Sequence, residues 1–160
     1  MFRRRDTDGM RRATLADAEA VRDLTRAAYA KWIPLIGREP KPMTANYERA
    51  VADHIIDLYE EEDVPVALIE VIPQASCLLI ENIAVLPNQQ GKGLGDLLLN
   101  HAETIARSLH LNELQLYTNA AFISNIEFYA RRGFEEFHRE PFPAGGVTVH
   151  MKKLIEYAKL

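Results

Sequence analysis

The stretch from Pro87 to Leu98, "PNQQGKGLGDLL", limits the fold of this chain more than any other. An apolar run over residues 77–86 ends at a proline, three glycines follow at alternating positions, and a leucine-rich helical pattern begins at once. A strand, a glycine-rich turn and a helix in succession bring helix N–H groups and the positive end of a helix dipole to the end of a strand. That arrangement suits an anion, and glycines let the backbone approach it closely. Two common phosphate loops are excluded by spacing. A P-loop needs G-x-x-x-x-G-K-[ST], but Lys92 precedes Gly93 and no Ser or Thr follows it. A dinucleotide fingerprint needs G-x-G-x-x-G, but Gly91, Gly93 and Gly95 give G-x-G-x-G, halfway along the chain. What remains is Gln90-x-x-Gly93-x-Gly95, which by itself is also compatible with a turn that only starts a helix.

The 160 residues are 48% hydrophobic and 26% charged, enough for a single domain over 1–160 with its own core. A net charge of −4 argues against a nucleic-acid partner. The cluster Arg3-Arg4-Arg5 runs straight into Asp6 and Asp8 and reads as part of a flexible extension, residues 1–9. No apolar stretch reaches the ~18 residues of a membrane span, and no secretory h-region follows the arginines. The single cysteine, Cys77, excludes a disulfide framework, favours a reducing, cytoplasmic setting, and reads as a small buried residue. The histidines at 54, 101, 110, 138 and 150 lack tight metal spacing and are expected as surface or sheet residues, with no metal.

Periodicity places a short strand and a turn before a helix whose apolar face is Ala18, Val21, Leu24, Ala28 and Trp32, capped by Thr14 or Asp17. Three prolines and a glycine in "IPLIGREPKPM" argue against regular structure there, and a shorter helix is expected from near Thr44. Residues 55–59, 64–72 and 77–86 read as an antiparallel meander. After the glycine loop come a helix with Leu94, Leu97, Leu98, Ala102, Ile105 and Leu109 on one face, the strand "ELQLYTN", a helix "FISNIEFYARRG" stopped at Gly133, and the strands "FEEFH" and "VTVHMKKL". The order is β-α-α-β-β-β-α-β-α-β-β. It implies an α/β (α+β) mixed sheet with helices on both faces.

In this order, "IENIAVLPNQQGKGLG" (Ile80 to Gly95) and "SNIEFYARRGF" (Ser124 to Phe134) resemble the GNAT superfamily of acetyl-CoA-dependent N-acetyltransferases, over nearly the whole chain. The segment from Tyr29 to Met43 is similar to that of bacterial members with no assigned substrate. The resemblance implies a mostly antiparallel sheet and a loop that holds the pyrophosphate of coenzyme A through backbone N–H groups of Gln90, Gly91, Lys92, Gly93, Leu94, Gly95 and Asp96. Gly93 and Gly95 would leave room for the ligand, and Lys92 would add charge or simply be an exposed loop lysine. It further implies that the strand before the loop splays from the next one, so that pantetheine pairs with the strand at Ile83, Ala84 and Val85. The Ile83 N–H would then face the thioester carbonyl, where charge develops.

The implied chemistry is direct attack of a neutral amine on the thioester in a ternary complex. It needs a proton acceptor and a donor to the departing thiolate. Tyr129 matches the family's general acid; the alternative is a core aromatic. Asn125 would bond the pantetheine arm or adenosine end, or cap its helix. Glu81, on one face with Ile83 by ordinary alternation, is a candidate base or a salt-bridged edge residue. Tyr117 is a second candidate. Acceptor contacts are expected from Tyr29, from an apolar wall of Trp32, Ile33, Pro34 and Met43, and from Arg38. An Arg38 fork would hold an anionic group of the amine, unless it pairs with Glu39 or the "EEED" turn. The rival reading is a non-catalytic acyl-CoA-binding module; a homodimer is left open.

Overall fold

A computed structural model describes residues 9–156; the basic cluster Arg3-Arg4-Arg5 and most of the proposed extension lie outside them. Seven strands form one sheet in the order β1-β2-β3-β4-β5-β7-β6. They are β1 (Met10–Arg12), β2 (Ile55–Glu61), β3 (Val64–Pro73), β4 (Leu78–Val85), β5 (Glu113–Asn119), β6 (Glu135–Pro141) and β7 (Val147–Leu154). Every pairing is antiparallel except β4 with β5. The helices are α1 (Ala18–Tyr29), the short α2 (Ile33–Ile36), α3 (Tyr47–Asp53), α4 (Leu94–Ser108) and α5 (Ile123–Ala130).

Two cores lie on opposite faces of the sheet. Val21, Leu24 and Ala28 of α1 pack with Tyr47 and Ala50 of α3 on Ile56, Leu58, Leu68 and Ala84. Leu98, Ala102 and Ile105 of α4 pack with Phe134 on Ile69, Val71, Ile80 and Leu116. The 3.6-residue spacing of apolar side chains on α1 and α4 accounts for both. Alternation along the strands supplies the opposing surfaces.

Three local expectations change. The proline-rich segment is not wholly irregular. Pro34 sits in the first turn of α2, where a missing N–H costs nothing, and Gly37 at φ +72° ends it. A 3₁₀ turn, Lys41–Thr44, follows. The next helix starts at Tyr47, not near Thr44, because Asn46 is the cap: its Oδ1 accepts from the Arg49 N–H at 3.1 Å. His101 is neither a surface nor a sheet residue. It lies on the buried face of α4, 1% exposed, with Nε2 2.6 Å from Asp57 Oδ2. Burial alone would raise the Asp57 carboxyl, but hydrogen bonds from His101 and Arg12 outweigh it and hold it below the usual range.

Candidate active site

The strands β4 and β5 separate where the site begins. They pair only over Leu78–Ile80 against Leu114–Leu116. Beyond that, β5 continues with β7 as partner and β4 continues with β3, which leaves a gap between Glu81–Val85 and Tyr117–Asn119.

The hydrogen-bond phase of the β3–β4 ladder determines what faces the gap. Leu86 N–H donates to Val66 O at 2.9 Å. Bonded pairs alternate along an antiparallel ladder, so Ala84 with Leu68 is the next one. Ile83 and Val85, opposite Ile69 and Ala67, therefore turn their peptide groups into the gap. Their carbonyls meet side chains there: the Tyr29 hydroxyl donates to Ile83 O at 3.2 Å, and Gln90 Nε2 donates to Val85 O at 3.1 Å. Ala84 is turned away from any ligand in the gap, because its peptide is committed to Leu68 and its methyl is buried beneath α1.

At the end of β4 the loop winds into α4. Gly93 adopts φ +83°, a left-handed conformation that admits glycine readily. The first intrahelical bond there is Leu97 N–H to Gly93 O, so the N–H groups of Leu94, Gly95 and Asp96 face out of the helix start. A Cβ at Gly91 or Gly93 would meet nothing within 4 Å, whereas one at Gly95 would strike Phe128. The missing side chain of Gly95 thus makes room for the Phe128 ring, while its backbone lines the cleft. Lys92 donates to Gln89 at 3.2 Å, and the Asp96 carboxylate is taken by Arg132 in a two-point pair, with Nε–Oδ1 at 2.5 Å. The cations that line the cleft are Lys31 and Arg132. Neither belonged to the expected site; Arg132 is recognisable only by its packing on Phe128, 3.6 Å from the ring centre.

A second cavity opens in the same gap between β4 and β5. Its walls include Ile36, Arg38, Lys41, Glu81, Tyr117 and Phe142. Four residues line both cavities: Tyr29, Ile83, Asn125 and Tyr129. Burial pushes the Tyr129 hydroxyl up to about 12. Its ring meets Phe128 and Phe134 edge-on, at 5.4 and 5.7 Å. Asn125 is not a helix cap, since Phe122 occupies that position and accepts from the Asn125 N–H.

Glu81 occupies a β-bulge. Glu70 faces Asn82 and Val71 faces Ile80, so Glu81 is the extra residue. Ordinary alternation between Glu81 and Ile83 is thereby broken: Ile80 belongs to the core under α4 and Ala84 to the core under α1. Glu81 nevertheless reaches the same cavity as Ile83. The Tyr117 hydroxyl donates to Glu81 Oε1 at 2.5 Å and accepts from Lys41 Nζ at 3.0 Å; Lys41 Nζ stands 3.8 Å from the same carboxylate oxygen. Burial, then the Glu81 hydrogen bond, raises the Tyr117 hydroxyl far above its usual range. Tyr117 is therefore held as a donor and is a poor base. Lys41 was not among the expected site residues. Its only sequence signal is a cation fixed between Pro40 and Pro42.

The expected apolar wall is only partly present. Trp32 stacks on Phe122, 4.2 Å between ring centres, and lines the cleft at the glycine loop instead. Met43 is buried, 4% exposed, and Ile36, Pro40 and Pro42 take its place. Arg38 pairs with neither Glu39 nor the acidic turn. Glu39 is bound by Arg26, while Arg38 donates to Gly145 O at 3.1 Å and lies 4.7 Å from the Phe142 ring centre. Among the described residues no group of three or more His, Cys, Asp or Glu could hold a metal, and no helix is long and apolar enough to cross a membrane.

A family model described as "Acetyltransferase (GNAT) family" matches residues 18–134. An uncharacterized N-acetyltransferase of Chlorobaculum tepidum is 28% identical over 134 residues, 84% of this chain and 79% of that protein. Solved structures show the same fold. One is a GNAT-family protein of Desulfovibrio desulfuricans, with TM-score 0.77, 20% identity, and 92% and 98% of the two chains covered. Another is the PaiA N-acetyltransferase of Thermoplasma acidophilum in complex with coenzyme A, with TM-score 0.74, 17% identity, and 91% and 97% covered. A family match that spans strands β2 to β5, the glycine loop and the Tyr129 helix places this chain in the GNAT acetyltransferase family.

Proposed function

We propose that the protein transfers an acetyl group from acetyl-CoA, the co-substrate of its family, to the amine of a small acceptor that also carries an anionic group, by direct attack in a ternary complex. The observation that carries this reading is the meeting of two cavities at Ile83 and Tyr129. One cavity runs from the outward N–H groups of Leu94 to Asp96 to the gap in the sheet. The other holds Glu81, Lys41 and Arg38.

The fit to coenzyme A rests on open space at Gly91 and Gly93, on the helix start behind them, and on Lys31 and Arg132 beside the cleft. The peptide groups of Ile83 and Val85 offer an added strand its partners. Acetyl-CoA supplies the activated acyl group. Ile83 N–H stabilises oxygen charge during transfer. Tyr129, held protonated by burial, donates to the leaving sulfur. Glu81, oriented by Tyr117, accepts a proton from the amine. Arg38 and Lys41 present two cations to the acceptor cavity against one carboxylate, which favours an amine bearing a carboxylate or phosphate.

Two measurements test this. Acetyl-CoA should raise the melting midpoint, while NAD and ATP should not. Thiol release should then appear with amines from a panel, those bearing an anionic group above all. Stabilisation by acetyl-CoA without turnover of any amine would leave a binding module in place of an enzyme.

A further inference from the structure

Glu81 faces a third cavity as well, beneath α3, whose walls include Lys41, Tyr47, His54, Glu70 and Asn82. Glu70 and Asn82 stand opposite each other at the bulge made by Glu81, and each is only 3% exposed. Glu70 Oε2 lies 2.6 Å from His54 Nδ1, and the His54 side chain is 30% exposed. Asn82 directs Nδ2 to Thr25 Oγ1 at 3.1 Å and to the Tyr47 hydroxyl at 3.4 Å. Its Oδ1 is buried and has no hydrogen-bond partner among the described residues. An orphaned acceptor in a polar cavity is a seat for a water. The acetyl transfer described above uses neither Glu70, His54 nor Asn82.

We propose that Glu70 and His54 form the exit for the proton that Glu81 takes from the acceptor, with a water on Asn82 Oδ1 linking the two carboxyls. This rests on Glu81 being the base. An acceptor arriving as an ammonium ion gives up two protons as its nitrogen forms the amide bond and the carbon–sulfur bond breaks. One proton goes to the leaving thiolate through Tyr129. The other must reach solvent, or Glu81 stays protonated and cannot serve the next turnover. Glu70 is suited to carry it. Burial raises its carboxyl, His54 acts in the opposite direction, and Glu81 and Lys41 are the other charges it senses. Arg49 and Asp53 of α3 line the outer part of the cavity. His54 passes the proton from buried carboxyl to surface.

The test needs no acceptor, so its failure is distinct from failure of the proposed reaction. Full-length protein labelled with carbon-13 in histidine is titrated by NMR. The His54 titration midpoint should move by about half a pH unit or more in Glu81→Gln. His110, exposed in the turn that follows α4, should not move. The Glu81 effect should vanish in a Glu70→Gln background. An unmoved His54 curve in folded Glu81→Gln overturns the proposal. The Asn82 side-chain amide should also show magnetisation transfer from a bound water, and absence of that signal removes the link and overturns it too.

Discussion

A Cβ built on Gly95 would stand 2.7 Å from Cζ of Phe128. The start of α4 is thereby seated against α5, and Arg132 holds the junction by stacking on Phe128 and gripping Asp96. Gly93, two residues earlier, touches nothing at that position but needs its φ of +83°. The two glycines of one motif thus serve different ends.

They should separate in experiment. Gly93→Val is expected to cost about 1–2 kcal/mol of stability through backbone strain and to reduce acetyl-CoA affinity strongly, because a side chain enters the open cleft. Gly95→Ala should lower the melting temperature by forcing Phe128 aside, with a smaller effect on affinity. Calorimetry and thermal unfolding of both variants check this. Equal acetyl-CoA affinity in folded Gly93→Val and native protein would refute the loop assignment.

Tyr129→Phe keeps the ring in its edge-on contacts with Phe128 and Phe134 and removes only the hydroxyl. Turnover should fall by roughly 10²–10⁴-fold, the usual contribution of a general acid, while acetyl-CoA binding persists. Since burial places the hydroxyl at about 12, it remains a donor through neutral pH, and an alkaline loss of rate near that value should be absent from the variant. A native rate in the variant would assign the proton donor elsewhere.

Arg38 lies against Phe142 and donates to Gly145 O across the mouth of the acceptor cavity. Arg38→Lys keeps charge but loses the planar fork. The acceptor KM should rise several-fold with little change in acetyl-CoA affinity. If instead only the melting temperature drops, Arg38 is a strap for the β6–β7 turn and nothing more.

Arg11 binds Asp17 with Nη1–Oδ2 and Nη2–Oδ1 both at 2.9 Å, and also holds Glu60. The Arg11 hydrogen bonds bring the Asp17 carboxyl down to about 2. A depressed carboxylate adds stability that is fully present above its unfolded value near ~4 and is lost as pH falls toward its folded value. Asp17→Asn should remove on the order of 1–2 kcal/mol at pH 7 and flatten the acid limb of unfolding between about pH 4 and 2. Denaturant unfolding across that range measures both. An unchanged acid limb would show that Arg11 and Asp17 contribute nothing there.

The helices, the strands and the glycine turn were legible because their signals are local. Leu94, Leu98, Ala102 and Ile105 announce a helix face from their own spacing, and a proline followed by three glycines marks the end of β4 without reference to anything distant. The partners of Glu81 and Arg38 were not legible. Glu81 sits where it does because β4 carries one residue more than β3 at that point, a property of two strands in register and not of either alone. Lys41, Tyr117 and Glu81 meet across 76 and 36 residues of chain, and Arg38 finds Gly145 across 107. His101 looks polar in the sequence and is buried because Asp57, on a strand 44 residues away, meets its ring. Sequence by itself determined which segments coil, extend and turn, since those depend on propensity and period. Only the tertiary structure decided which charges face one another, because a hydrogen bond between distant residues exists only once the sheet has set their separation.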